Sequence, residues 1–177
     1  MSRYIGASLT LLFAFLSVIT LAPLWYLFGF HAIIQTVGIL IVASVGEHVV
    51  SGRGYYHYTN VNGVFVGRVP VWIPVMWVFV IQGALLISLT MGLVGLQAIL
   101  LSGILCAFLD IIAVEPLLSA KYSMWLWTSV DEGYFKFIPA QVNRFTAPFG
   151  NYLTWLIFPI LLNWLLGITL IAQALFF

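Results

Sequence analysis

The chain has 177 residues, of which 63% are hydrophobic and 6% are charged, and its mean hydropathy is +1.14. Soluble domains are about half apolar and about a quarter charged, so this composition excludes a water-soluble globular protein. The formal net charge is +1 and no run of Lys or Arg occurs. Nucleic acid is therefore not an expected partner, because phosphate binding requires clustered cations. We expect a single integral membrane domain.

Five apolar runs are long enough to cross a bilayer, which takes about 20 residues. Because lipid cannot satisfy backbone hydrogen bonds, each run predicts a helix and not a strand. The predicted spans are 5–27, 33–50, 71–89, 93–114 and 152–175. Short turns near Gly29 and at Met91-Gly92 predict that spans one and two, and spans three and four, are antiparallel neighbours. The predicted fold class is an all-α polytopic bundle.

The basic residues all lie on one side of this arrangement. Arg3 precedes the first span, and the other Lys and Arg residues lie in the two long connections, 51–70 and 119–150. Positive charge is retained in the cytoplasm. The asymmetry predicts a cytoplasmic N-terminus and an external C-terminus. We expect the protein in the plasma membrane of a prokaryote.

Three carboxylic acids fall near the predicted cytoplasmic ends of the spans. Glu47 lies near the end of span two, and Asp110 and Glu115 lie near the end of span four. An ionisable group inside a span costs about 2.5 to 3.5 kcal/mol and normally faces the bundle interior or a water-filled cavity. On an ideal α-helix Asp110 and Glu115 point about 140° apart. They share a face only if the helix distorts before Pro116.

The first long connection and the start of span three are rich in aromatic residues. Tyr55 and Tyr56 fit an aromatic belt at the membrane interface, and Trp72 fits the same role. His57 and Tyr58 are better placed to line the mouth of a polar pocket.

Deeper in the third span, Trp77 is expected to wall a cavity. The 119–150 connection predicts a structured, partly embedded cap in which Asp131 and Glu132 are solvated. Pro159 predicts a kink in span five.

Several catalytic motifs are absent from the sequence. The chain has no Gly-rich phosphate loop, no nucleophile elbow and no zinc-binding helix motif. The lone Cys106 excludes an internal disulfide. By the predicted topology, His31 lies on the opposite side of the membrane from His48 and His57. Only His48 and His57 remain on one side, so we expect no His-rich di-iron site and no metal cofactor.

A series of short motifs occurs in a fixed order between Glu47 and Trp155. The series is Glu47, Ser51-Gly52, Tyr55-x-His57-Tyr58, Val69-Pro70, Pro74, Trp77, Asp110, Glu115-Pro116, Trp125-x-Trp127, Ile138-Pro139-x-x-x-Asn143, Asn151-Tyr152 and Trp155. This ordered set resembles the carotenoid-biosynthesis hydratases, membrane proteins that add water to the terminal isoprene unit of acyclic carotenoids, including the hydratases of bacterioruberin synthesis. Members of that family are longer and have more spans.

The resemblance implies a hydratase that acts on a hydrophobic isoprenoid or carotenoid dissolved in membrane lipid. Hydration of a trisubstituted alkene requires an acid that protonates carbon and a base that holds the attacking water. We expect Asp110 to be the acid and Glu115 or Glu47 to hold the water. This chemistry requires no organic cofactor. The resemblance also implies substrate contacts, some of them cation–π contacts to the developing cation, from His57, Tyr58, Trp77, Trp125, Trp127, Asn143, Asn151 and Trp155. Either Asn143 or Asn151 is the family's asparagine.

Two other functions fit the same sequence. The first is a non-catalytic subunit or scaffold whose acidic groups pair with Arg53, Arg68 and Arg144, in a homo-oligomer or with a partner subunit. The second is a small transporter or proton relay that uses the intramembrane carboxylates, although no inverted repeat is evident. Asp110→Asn separates the first two functions, because it removes product in a hydratase but affects only stability or assembly in a scaffold. A transporter should instead show substrate- or pH-dependent flux in liposomes.

Overall fold

The computed structural model describes the backbone of residues 3–128 and 147–176 and the side chains of residues 5–128 and 147–166. Within these ranges, long helices alternate with short antiparallel β ribbons. The elements are α1 (Arg3–Phe28), α2 (Phe30–Gly52), β1 (Tyr56–Tyr58), a 3₁₀ turn (Asn60–Asn62), β2 (Phe65–Val66), β3 (Val69–Pro70), α3 (Trp72–Thr90), α4 (Gly95–Leu109), a π-helix (Asp110–Lys121), β4 (Trp125–Trp127) and α5 (Phe149–Phe176).

Five helical segments are long and apolar enough to span a membrane. They are Ile5–Phe28, Phe30–Gly52, Trp72–Thr90, Gly95–Lys121 and Phe149–Leu166. The predicted all-α bundle is confirmed. The fourth span is longer than the sequence predicts, because the π-helix continues α4 by nearly three turns. Asp131, Glu132 and Asn143 lie outside the described residues.

Helix α3 forms the centre of the bundle and contacts all four other long helices. Its side chains Ile73, Val78 and Ile81 are almost completely buried. The outward faces of α1 and α2 instead expose large apolar side chains, such as Leu11 at 74% and Phe15 at 65%. Such a surface is stable against lipid hydrocarbon and not against water. The helices on either side of Gly29, and those on either side of Met91-Gly92, are in contact as predicted.

Helices α4 and α5 approach each other closely at Gly103. A Cβ atom at this position would lie 2.6 Å from the carbonyl oxygen of Leu156 and 2.5 Å from Cγ1 of Ile160. No side chain fits that space, and small residues at such contacts let membrane helices pack backbone to backbone. The contact fixes α5 against α4, which matters because both carry residues of the site described below.

A continuous set of side-chain hydrogen bonds joins all five helices. Thr20 of α1 donates to Gln82 of α3 (3.1 Å), and Gln82 donates to Gln35 of α2 (3.1 Å). Gln35 donates to Asn163 of α5 (2.5 Å), which in turn donates to Ser102 of α4 (2.8 Å). We call this set the amide network. Its hydrogen bonds hold the five helices in one arrangement, because unpaired amides are costly in lipid.

The structure corrects the prediction for Trp72. Its side chain is fully buried and does not lie at the interface. The indole N–H donates to Oδ1 of Asn62 (3.2 Å), and the ring stacks on Phe13 of α1 at 5.9 Å between centroids. Helix α1 and the 3₁₀ turn cover the start of α3, which is why this tryptophan is inside.

Candidate functional site

The membrane carboxyl groups meet at the end of the bundle that carries the β ribbons. Glu47 and Glu115 line a cavity of about 30 Å³, which is room for two or three water molecules at about 10 to 15 Å³ each. We call it the carboxyl cavity. Its other walls are aromatic, apolar and amide side chains: Tyr56, Tyr58, Ile73, Met76, Trp77, Val114, Trp125, Trp127, Asn151 and Trp155.

The ribbon of β1 and β4 supplies four of these aromatic side chains. Tyr56 pairs with Trp127 and Tyr58 pairs with Trp125. Alternate residues of a strand point to opposite faces, so these four side chains share the inner face. His57, between the two tyrosines, is exposed and lines neither the carboxyl cavity nor the cleft described below.

Tyr56 corrects the aromatic-belt prediction. Its side chain is only 6% exposed and its hydroxyl donates to Oε2 of Glu47, whereas Tyr55 is 51% exposed. The signal in the sequence is the alternation Tyr-His-Tyr, which matches Trp-Leu-Trp at positions 125–127. Either pattern alone is too short to predict a strand.

Two tyrosine hydroxyls hold the Glu47 side chain. Tyr58 donates to Oε2 at 2.6 Å, and Tyr56 donates to the same oxygen. Burial raises the pKa of Tyr56 and of Tyr58 above the usual value, and the adjacent Glu47 carboxylate raises both further. Both hydroxyls therefore stay protonated and remain donors to Oε2 of Glu47.

Three N–H groups hold the Glu115 side chain. Trp125 Nε1 donates to Oε1 (3.2 Å) and Trp127 Nε1 donates to Oε2 (3.0 Å). Asn151 Nδ2 adds a longer bond to Oε1 at 3.4 Å. Because N–H groups only donate, both Glu115 oxygens act as acceptors here. The carboxyl group is fixed in orientation and lines the carboxyl cavity.

The π-helix brings Asp110 and Glu115 to one face. Its hydrogen bonds run from residue i to residue i+5, as between Leu117 and Tyr122 at 2.9 Å, so side chains five apart stack one turn above another. An α-helix would separate them by about 140°. Pro116 suits the wider turn, because its ring clashes with the carbonyl four residues earlier in an α-helix. This is the distortion on which the sequence prediction depended.

Asp110 lies behind the cavity wall. It is fully buried, and its Oδ2 accepts a hydrogen bond from Nδ2 of Asn151 at 2.7 Å. Its Oδ1 has no hydrogen-bond partner among the described residues, and Asp110 lines neither cavity of the site. Asn151 thus stands between Asp110 and Glu115 and contacts both.

A second, larger cavity adjoins the first. It has a volume of about 370 Å³ and runs between α2 and α5, where it is lined mainly by apolar side chains such as Val42, Val50 and Phe158. We call it the apolar cleft. It shares five lining residues with the carboxyl cavity: Glu47, Tyr56, Trp77, Trp127 and Asn151. Val50 and Phe158 are each 37% exposed, so within the described residues the cleft reaches the outer surface.

Most predicted site residues come together here. The carboxyl cavity contains Glu47, Tyr58, Trp77, Glu115, Trp125, Trp127, Asn151 and Trp155. Trp77 and Trp155 also pack on each other with centroids 4.5 Å apart. Sequence reasoning missed Ile73 and Met76, which the sequence shows only as ordinary apolar residues of a span. No Lys, Arg or His lines either cavity, and the described residues contain no group of three side chains suited to holding a metal ion.

Comparisons of the chain with known protein families, with curated proteins and with solved structures find no match. Function is therefore inferred from the geometry of the two cavities.

Proposed function

We propose that this protein hydrates the terminal carbon–carbon double bond of an acyclic carotenoid or related isoprenoid inside the membrane. One observation carries the proposal: a water-sized cavity with two carboxyl groups shares a wall with an apolar cleft between two membrane helices. Hydration requires an alkene from lipid and a water molecule to meet between an acid and a base. The wall that the two cavities share supports such a meeting point in this proposal.

The apolar cleft would take the end of the substrate. A cavity of about 370 Å³ is at the lower end of the range for small-molecule sites. It suits the terminal isoprene units of a long chain, while the rest of the chain stays in the bilayer. Its mouth between α2 and α5 allows lateral entry from lipid.

Glu47 is the proposed acid because it lines both cavities. Tyr56 and Tyr58 donate to its Oε2, which leaves Oε1 to carry the proton. The π electrons of the alkene take this proton onto the less substituted carbon, and a tertiary cation forms at the neighbouring carbon. The rings of Tyr56, Trp77 and Trp127 line the cleft where that positive charge develops, and their π faces stabilise it.

Glu115 is the proposed base because it lines only the water-sized cavity. The water oxygen forms a bond to the tertiary carbon and releases a proton to Glu115. The net reaction adds one water to the alkene and gives a tertiary alcohol, so no redox cofactor is required. Return of the proton from Glu115 to Glu47 completes the cycle.

In this proposal Asp110 has a different role from the one that the sequence suggested. The acid must reach the substrate carbon, and Asp110 lies behind Asn151, outside both cavities. It acts as a positioning residue by accepting the Asn151 hydrogen bond at 2.7 Å. Asn151 is then the amide that positions the water next to the Glu115 carboxylate.

The test is expression of the full chain in a bacterium that accumulates lycopene or a related acyclic carotenoid. Mass spectrometry of the pigments is expected to show a product heavier by one water. Glu47→Gln should remove that product while the protein stays in the membrane, because the glutamine carbonyl still accepts both tyrosine hydroxyls.

The matched control is Glu132→Gln, the same chemical change at a predicted solvated position. It should leave the product unchanged. Unaltered pigments from the wild-type chain, with the protein present in the membrane, would contradict the proposal for that substrate. Product that survives Glu47→Gln would instead remove Glu47 as the acid.

A further inference from the structure

Two further cavities lie on either side of the β2–β3 hairpin, away from the carboxyl cavity's interior. One is polar, has a volume of about 420 Å³ and is lined by Ser51, His57, Asn60 and Arg68, among others. The other is a groove of about 520 Å³ between α2 and α3, lined almost entirely by apolar residues such as Leu40, Val45, Val49 and Val75. We call them the hairpin cavity and the α2–α3 groove.

The hairpin cavity is positively charged. Arg68 at the hairpin tip is exposed, and no carboxylate lines the cavity among the described residues. The structure describes three carboxylic acids, and all of them lie in or beside the carboxyl cavity: Glu47, Asp110 and Glu115. Ser51, Asn60 and His57 add hydrogen-bonding groups around the guanidinium. Arginine with such neighbours is suited to a phosphate group, which accepts several charge-assisted hydrogen bonds.

The Arg68 side chain packs against Gly52. Its guanidinium lies over the end of α2, where a Cβ atom at Gly52 would overlap Nη1. The absence of a side chain at Gly52 lets the cation lie against the helix end.

The hairpin cavity and the α2–α3 groove are adjacent, because Gly67 lines both. Gly67 has φ +62°, and a Cβ there would lie 3.0 Å from the imidazole of His48. A side chain at this position would have to displace His48, which also lines the α2–α3 groove. Along α2 the groove extends from Val49 to Leu40, which is about 13 Å of helix. The pair thus joins a cationic, hydrogen-bonding compartment to an apolar channel of acyl-chain dimensions.

We propose that the hairpin cavity and the α2–α3 groove together bind one anionic phospholipid, with its phosphate at Arg68 and one acyl chain along the groove. Charge and shape together select this ligand. A zwitterionic lipid carries a cationic group as well as its phosphate, and the hairpin cavity has no carboxylate to pair with that cation. A free phosphate has no acyl chain and would leave the α2–α3 groove empty. Tyr58 lines both the hairpin cavity and the carboxyl cavity. The proposed lipid contacts are at Arg68 and in the α2–α3 groove, which the hydratase proposal does not use, so either proposal can fail alone.

The test uses the purified full chain in a neutral detergent. Binding of phosphatidylglycerol, phosphatidylcholine and glycerol phosphate is measured by native mass spectrometry and by the rise in thermal unfolding midpoint. Phosphatidylglycerol should bind tightly and raise the midpoint, whereas the other two ligands should bind at least about tenfold more weakly. Arg68→Gln should weaken phosphatidylglycerol binding about tenfold.

Two further variants make the test specific. Arg53→Gln removes the same charge from an exposed residue that does not line the cavity, and it should change affinity less than about twofold. Val45→Trp fills the groove from its lipid-facing side and should weaken binding with Arg68 intact. Equal losses in Arg53→Gln and Arg68→Gln would overturn the site in favour of diffuse surface attraction. Equal binding of glycerol phosphate, or an unaffected Val45→Trp variant, would overturn the lipid as the ligand.

Discussion

The amide network and the carboxyl cavity are both buried polar clusters inside an apolar bundle, yet they differ in hydrogen bonding. Each amide of Gln35, Gln82 and Asn163 has partners, and these side chains are neutral. The carboxyl cavity has acidic groups, empty space for water and, nearby, an Asp110 oxygen with no hydrogen bond among the described residues. A satisfied neutral cluster can only stabilise a fold, whereas an acidic cluster beside a cavity can exchange protons.

The distance between the clusters makes them separable by mutation. Asn151 and Asn163 are twelve residues apart on α5, which is about 18 Å along the axis. Substitutions that far apart with no shared partner usually act independently. Changes in the carboxyl cavity should therefore alter chemistry, and changes in the amide network should alter stability.

After Glu47→Gln, the largest expected effect is that of Glu115→Gln. Loss of the base should lower hydrated product at least about 100-fold. One indole N–H also loses its acceptor, which costs about 1 kcal/mol of unfolding free energy. Pigment analysis and thermal unfolding in detergent measure the two effects. If stability falls while product per folded protein stays unchanged, Glu115 is structural and not catalytic.

Gln82→Leu should have the opposite profile. It removes three side-chain hydrogen bonds and should lower the unfolding free energy by about 1 to 3 kcal/mol, with product per folded protein preserved. Gln97→Leu is the matched control, because Gln97 is exposed on α4. Reversible unfolding in mixed detergent compares the two variants. Equal stability of both would show that the amide network contributes nothing measurable.

Asp110→Asn tests the difference between a positioning residue and the acid. The amide oxygen can still accept the Asn151 hydrogen bond, so product should fall only about tenfold and remain detectable by mass spectrometry. Asp110→Glu keeps the carboxyl group but should give less product than Asp110→Asn, since the longer side chain displaces Asn151. Complete loss of product in Asp110→Asn, matching Glu47→Gln, would return the acid role to Asp110.

The smallest effect is expected for Tyr58→Phe, since Tyr56 still donates to Glu47. Product should fall about threefold. The raised pKa of Tyr58 means that its hydroxyl stays protonated as pH rises past the usual value near 10 and loses its proton only above it. Wild-type product formation in membranes should therefore not decline between about pH 8 and about pH 10 through this group. If product formation falls over this pH range and Tyr58→Phe abolishes the fall, the pKa of Tyr58 is not raised.

The spans were accessible from the sequence because each is a continuous apolar run whose meaning does not depend on the rest of the chain. The grouping of Glu47 with Glu115 was also accessible, since both lie near the same end of the bundle. Gln35, Gln82 and Asn163 carried a readable signal as well. Each is a polar residue inside an apolar run, and in lipid such residues seek partners.

Other features depended on contacts that no local pattern contains. The β1–β4 ribbon pairs residues 56–58 with 125–127, which are far apart in sequence and only three residues long. It turns Tyr56 inward and His57 outward, a distinction that a loop assignment cannot make. The π-helix likewise depends on more than Pro116, because a proline alone is equally consistent with a kink or a helix end.

Because the apolar cleft opens between α2 and α5, the substrate concentration that sets its occupancy is the concentration in the bilayer. A substrate that enters from hydrocarbon is diluted by lipid and not by water, so occupancy follows its mole fraction in the bilayer. At constant amounts of protein and substrate, adding inert phospholipid vesicle lipid should slow the reaction, whereas adding buffer should not. Rates measured in detergent will correspondingly depend on the number of micelles that share the substrate.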